Sequence, residues 1–148
     1  TAAHPRHLPP PRRDQTLMEG GTPLSKGPDE EGDYDDMVNM PKMDQAMVLQ
    51  NVEKRFKRDA IYTAVGDVLI SVNPFKDLGM YTPEIMRKYH HETDADEKAP
   101  HIFAVARDAY RRIIRPPHKA QSVLVSGESG AGKTEASKLL IRYLASMS

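Results

Sequence analysis

The stretch that most constrains this chain is GESGAGKT, Gly127 to Thr134. It fits G-x-x-x-x-G-K-[ST], the pattern of a phosphate-binding loop. Its flanks fit as well. Gln121 to Ser126 is a short apolar, β-branched run that predicts a buried strand. From Lys133 to Ser148, Ala136, Leu139, Leu140, Tyr143, Leu144 and Met147 fall on one face of a predicted amphipathic helix. Strand, glycine loop and helix in that order predict an α/β fold. Gly127, Gly130 and Gly132 let the loop curl so that successive N–H groups point at a phosphate. The helix adds the positive end of its dipole at the same place. In that pattern Lys133 is the point charge for the β- and γ-phosphates, and the Thr134 hydroxyl is the ligand for Mg²⁺.

Charge is unevenly distributed. The formal net charge is zero, so no bulk field argues for nucleic acid or a membrane surface. Residues 1–28 hold four bases and two acids, DEEGDYDD at 29–36 holds six acids, and residues 37–148 hold 17 bases and 13 acids. This division predicts a leader, an acidic hinge read as a solvated charge run, and a folded part. Half of the 12 prolines lie in residues 1–32, a composition that cannot bury enough apolar surface to order itself. HLPPPRRD is similar to a polyproline ligand but misses both common SH3 spacings. With no cysteine there is no disulfide or thiolate metal site. The helical pattern reaches Ser148 without a Gly or Pro stop, which predicts a longer protein.

Between leader and loop, Asp44 is a predicted N-cap for a helix to about Lys57. Its apolar face is Val48, Leu49, Val52 and Phe56, with Glu53, Lys54, Arg55 and Lys57 toward water. Ile61–Ala64 and Val68–Val72 predict a β-hairpin around Val65-Gly66-Asp67, ended by Asn73-Pro74. Thr82-Pro83 starts a helix to about His90, and 91–99 reads as a polar loop. Pro100 opens a helix to about Arg115, with Ile102, Phe103, Ala106, Ala109, Tyr110 and Ile113 inward. Arg107, Arg111, Arg112 and Arg115 form its solvated side. The histidines show no metal-ligand spacing.

A phosphate loop alone does not choose among ATPases, GTPases and kinases. Small GTPases and nucleotide kinases carry theirs near the start of the domain, whereas here about 90 folded residues precede it. Three blocks narrow the choice: IYTAVGDVLISVNPFKDLGMY (61–81), PHIFAVARDAYRRI (100–113) and SVLVSGESGAGKTEASK (122–138). In this order and spacing they resemble the start of a myosin motor domain, and DYDDMVNMPKMDQAMVLQNVEKRF leading into them resembles class I and other unconventional myosins. The resemblance covers residues 35–148 and leaves 1–34 as a disordered Pro-rich and acidic leader.

The resemblance implies the phosphate-loop NTPase fold of the myosin/kinesin type, a mixed twisted central sheet flanked by helices, incomplete here. It places Asn73, Pro74, Lys76 and Tyr81 on the adenine side of the site and Glu135 near the nucleoside. Glu128, Ser129, Gly130 and Ala131 lie in the loop interior, with Ser129 near the γ-phosphate and Lys133 and Ser129 as the catalytic pair. It implies ATP and Mg²⁺ as cofactors and actin filaments as partner through downstream regions. Light chains or calmodulin are possible partners of the full protein, a membrane is reached only through an unseen tail, and the location is the cytoplasmic actin cytoskeleton. Gly79 stands where many members have Pro, which predicts a looser loop, and Asp77 where some have a base. No N-x-x-S-S-R or D-x-x-G-F-E is present, so little ATPase activity is expected of these residues alone. The alternatives are another phosphate-loop NTPase, GTPase-like and marked by N-K-x-D, or a non-enzymatic nucleotide-binding or interaction fragment.

Overall fold

The computed structural model describes residue 28, residues 32–91 and residues 99–147. The Pro-rich leader, the first acids of the 29–36 run and most of the polar loop after His91 lie outside the described residues. Helix α1 (Gln45–Lys57) is followed by strands β1 (Tyr62–Val65) and β2 (Val68–Ser71). Then come α2 (Pro83–His91), α3 (Ile102–Ile114) and α4 (Lys133–Met147).

Local chemistry sets these boundaries. The Asp44 carboxylate accepts from the Met47 N–H at 3.0 Å, capping α1. The Lys42 ammonium beside it, with that N–H, holds the carboxyl below the usual carboxylate range. Thr82 Oγ1 accepts from Ile85 N–H, with Pro83 in the first turn of α2. His101 caps α3 through its ring, Nδ1 accepting from Phe103 N–H at 3.1 Å. The hairpin is antiparallel in the register Tyr62↔Ser71 to Val65↔Val68, which leaves Gly66 and Asp67 as a two-residue turn. Gly66 has φ +57°, which suits glycine at the first turn position.

The core lies where α3 crosses α4, extended by β1 and α2. Ile61, Tyr62, Met86, Tyr89, Ile102, Phe103, Ala106, Leu140 and Tyr143 are buried in one cluster. The rings of Phe103 and Tyr143 stack at 5.1 Å between centroids. The predicted stripe on α4 is the face that packs here, with Ala136, Leu139, Leu144 and Met147 half-buried around Leu140 and Tyr143.

Two arginines read as water-facing are buried. Arg55 is 2% exposed. Its Nη1 donates to Asp33 Oδ1 at 2.7 Å, its Nη2 pairs with Asp35 at 2.6 Å, and its Nε bonds Thr63 Oγ1 at 3.0 Å. Asp33 is also 2% exposed and holds Arg58 as well, so the end of the acidic run is not a solvated charge run. Burying these charges is tolerable because each is paired and hydrogen-bonded. The same segment lies along β1: Ala64 N–H donates to Asp35 O at 2.8 Å, and Tyr34 exchanges two hydrogen bonds with the Asn51 amide. On α1 the buried side chains are therefore Asn51 and Arg55, whereas Leu49 and Phe56 of the expected apolar face are exposed. On α3, Arg107 is buried and bonds Asp108 at 2.7 Å, and Ile113, expected inward, is exposed.

The strand expected at Gln121–Ser126 does not form. The run has no ladder partner among the described residues, and Leu124 is 91% exposed. The sheet described is the two-stranded hairpin, not a mixed central sheet. A ladder is a non-local pairing, so an apolar β-branched run becomes a strand only where a neighbour supplies the other half of its hydrogen bonds.

His101 sits in an aromatic cage. Tyr89 stacks on it at 4.8 Å, Tyr62 and Phe103 approach at 5.2 and 4.7 Å, and Tyr81 lies at 5.8 Å. Nδ1 accepts a backbone N–H while Nε2 lies 3.2 Å from Met80 O, which assigns the neutral tautomer with the proton on Nε2. Burial depresses the imidazole to about 4. Below about pH 6.5 the unfolded chain takes up a proton that the folded chain refuses. Stability should therefore fall as pH drops from 6.5 toward 4 and level off below, by roughly 3 kcal/mol from this site. Thermal midpoints at pH 7 and pH 4.5 for the parent and His101→Gln measure it. The parent should lose more than the variant, and equal losses would contradict the assignment.

Candidate nucleotide site

The loop Gly127–Gly132 runs directly into α4. Gly130 and Gly132 have φ +80° and +92°, conformations that strain any residue with a Cβ. A turn closes inside the loop, with Ala131 N–H donating to Glu128 O at 3.2 Å. Lys133, the first residue of α4, folds its side chain back over the loop. Its Nζ donates to the carbonyls of Gly127 and Glu128, both at 2.7 Å. The ammonium thus braces the loop, and the first N–H groups of α4 open in the same direction as the helix dipole's positive end.

The other predicted loop residues lie around this brace. Glu128, Ser129, Gly130 and Ala131 are exposed along the loop. Thr134 presents its hydroxyl in the exposed first turn of α4, and Glu135 beside it pairs with Lys138 at 2.8 Å. Thr134 offers the hard oxygen that Mg²⁺ prefers. Among the described residues no group of three or more His, Cys, Asp or Glu could hold a metal.

The segment after β2 meets the loop through one residue. Asn73 Nδ2 donates to Gly130 O at 2.9 Å, while its Oδ1 accepts from Phe75 N–H at 2.9 Å. The structure therefore brings Asn73 to the phosphate loop, with Pro74 half-buried next to it. Lys76 is directed elsewhere, onto Asp59 at 2.7 Å. Asp77 Oδ1 accepts from Gly79 N–H at 2.8 Å, and Gly79 has φ +65°. Asp77 and Gly79 thus close one turn together. Tyr81 is half-buried, its ring tilted against His101 and Phe103 and its hydroxyl 2.8 Å from that of Tyr62. Burial, reinforced by that hydroxyl contact, pushes the Tyr62 phenol far above its usual range. Sequence reasoning missed His101 and Arg142, which hold the backbone of Met80 and Tyr81. Arg142 lies outside the three blocks, His101 lies in the 100–113 block without a role assigned to it, and their partners are 61 and 21 positions away.

A glycine loop braced by the lysine that opens its helix defines a phosphate-loop protein. The family follows from sequence comparison. Residues 34–148 match the profile of the myosin head (motor domain), and the chain belongs to that family. It is 50% identical over 113 residues to the high molecular weight form of myosin-1 of Acanthamoeba castellanii, covering 76% of this chain and 7% of that protein. It is 49% identical over 115 residues to the myosin IC heavy chain of Dictyostelium discoideum, covering 77% and 10%. Against unconventional myosin-Ia of Gallus gallus it is 47% identical over 113 residues, covering 76% and 11%. These relatives are class I or unconventional myosins, as the sequence resemblance implies, and the chain spans about a tenth of their length or less.

Proposed function

We propose that this chain is the nucleotide-binding front of an actin-based motor that couples ATP hydrolysis to movement on actin filaments. The observation that carries the reading is the Gly127–Thr134 loop at the head of α4, joined by Asn73 to the segment 73–81. In this reading Gly127 to Gly132 present backbone N–H groups to the phosphates, and Lys133 exchanges its two carbonyl partners for phosphate oxygens. Ser129 lies beside the terminal phosphate, and Thr134 holds Mg²⁺ together with the nucleotide. When bound, the ion neutralises charge on the transferring phosphoryl group. Asn73, Pro74, Lys76, Tyr81 and Glu135 form the nucleoside side, which requires Lys76 to leave Asp59.

Hydrolysis also needs groups that position water and stabilise the transition state. We assign those, the mixed central sheet and the actin contact to the remainder of the motor, and expect the present residues alone to turn over little ATP. Light chains or calmodulin, and a place in the cytoplasmic actin cytoskeleton, belong to the same proposal. The test is phosphate release by the complete protein with and without filamentous actin. Turnover that rises with actin supports the reading. Turnover indifferent to actin, or supported by GTP and not ATP, overturns it.

A further inference from the structure

The segment 73–81 is pinned at both ends. Asn73 fixes its start to the phosphate loop through Gly130 O at 2.9 Å. At its end two successive carbonyls are held by different helices. His101, the N-cap of α3, places Nε2 at 3.2 Å from Met80 O, and Arg142 of α4 donates from Nη2 to Tyr81 O. The Tyr81 side chain is also fixed, its ring against His101 and Phe103 and its hydroxyl on Tyr62. Arg142 belongs to the helix that Lys133 opens.

We infer that His101 and Arg142 are positioning residues that set affinity for the nucleoside half of a nucleoside triphosphate separately from its phosphate half. The inference rests on the nucleotide-binding reading above. The physical argument is division of labour. Phosphate recognition is supplied by the loop, Lys133 and the helix dipole, whereas the Met80 and Tyr81 carbonyls are held by the side chains of His101 and Arg142. The nucleoside side depends on the segment 73–81, whose last two carbonyls these clamps hold. Ordering a segment before the ligand arrives lowers the entropy lost on binding. The clamp atoms are backbone carbonyls, so the effect passes through the placement of Tyr81 and not through direct contact with ligand.

The experiment uses the complete protein and two probes, Mg²⁺–ATP and Mg²⁺–pyrophosphate, the second carrying no nucleoside. Arg142→Met keeps the aliphatic stem and removes the donor, Arg142→Lys keeps a donor, and His101→Phe keeps a ring and removes the N–H for Met80 O. Arg142→Met is expected to weaken ATP binding roughly three- to tenfold, the range of one ordinary hydrogen bond, since Arg142 is exposed and its charge is screened by water. Pyrophosphate affinity should not change. KM for ATP should rise with kcat unchanged, Arg142→Lys should recover part of the loss, and His101→Phe should weaken ATP and spare pyrophosphate as Arg142→Met does. Equal weakening of both probes, or of neither, overturns the clamp while leaving the nucleotide reading intact. A parent protein that binds neither probe overturns both.

Discussion

Replacing Lys133 by alanine in the complete protein is expected to abolish nucleotide turnover and to weaken ATP binding by roughly a hundredfold or more. Two effects act together. The ammonium is the charge of the loop nearest the expected phosphates, and a charge-assisted contact of this kind is roughly twice as strong as a neutral hydrogen bond. The same group braces the loop from inside, bonding Gly127 O and Glu128 O at 2.7 Å. Removing it leaves two carbonyls without that partner and a glycine-rich loop free to sample other shapes. Lys133→Arg separates the effects: it keeps the charge but replaces a compact ammonium by a planar fork. If shape matters, the arginine variant also fails. The check is equilibrium binding of a fluorescent ATP analogue together with steady-state phosphate release. Retained turnover in the alanine variant would remove the loop from the proposed chemistry.

The second large effect is structural. Arg55→Ala is expected to destabilise the folded chain by about 3–5 kcal/mol, the cost of leaving a buried charge without its partner. Against a typical stability of about 5–15 kcal/mol this is severe. Arg55 bonds Asp33, Asp35, Thr63 and the Tyr62 carbonyl. Its loss removes the side-chain ties of Asp33 and Asp35 to α1 and β1 and leaves the Tyr34–Asn51 and Ala64–Asp35 hydrogen bonds. Asp33 keeps Arg58 as a partner, which places the cost toward the lower end of that range. The exposed pair Lys138–Glu135 serves as the contrast, because water and salt already screen it. The shift in thermal midpoint should be large for Arg55→Ala and near zero for Lys138→Ala, and comparable shifts would refute the distinction.

The parts of this fold legible in the sequence are those whose causes are local. Asp44, Thr82 and Pro83 announce helix starts within a turn of where they act, Gly66-Asp67 announces the hairpin, and the stripe from Ala136 to Met147 is the packed face of α4. The rest depends on partners remote in sequence. Arg55 looks like one more base on a basic helix until Asp33, 22 positions earlier, is placed beside it. Arg107 was assigned to water by periodicity, yet it is buried. Gln121–Ser126 has a strand's composition but lacks the neighbour that makes a strand. The glycine loop was legible because its chemistry lies in consecutive residues. Its junction with the segment 73–81 was not, because the Asn73–Gly130 hydrogen bond spans 57 positions.

The bare run before the loop has a consequence for how such a protein is made. Val123 and Leu124 are exposed, and Gln121 to Ser126 carries no charge and no proline. Uncharged apolar segments with unpaired backbone N–H and C=O groups are the ones on which intermolecular β-pairing grows. On a nascent chain the hairpin and helices can settle early, because their contacts are close in sequence. Left exposed, the run is adhesive. It is the place where neighbouring nascent chains can attach and where a holdase chaperone has most to protect.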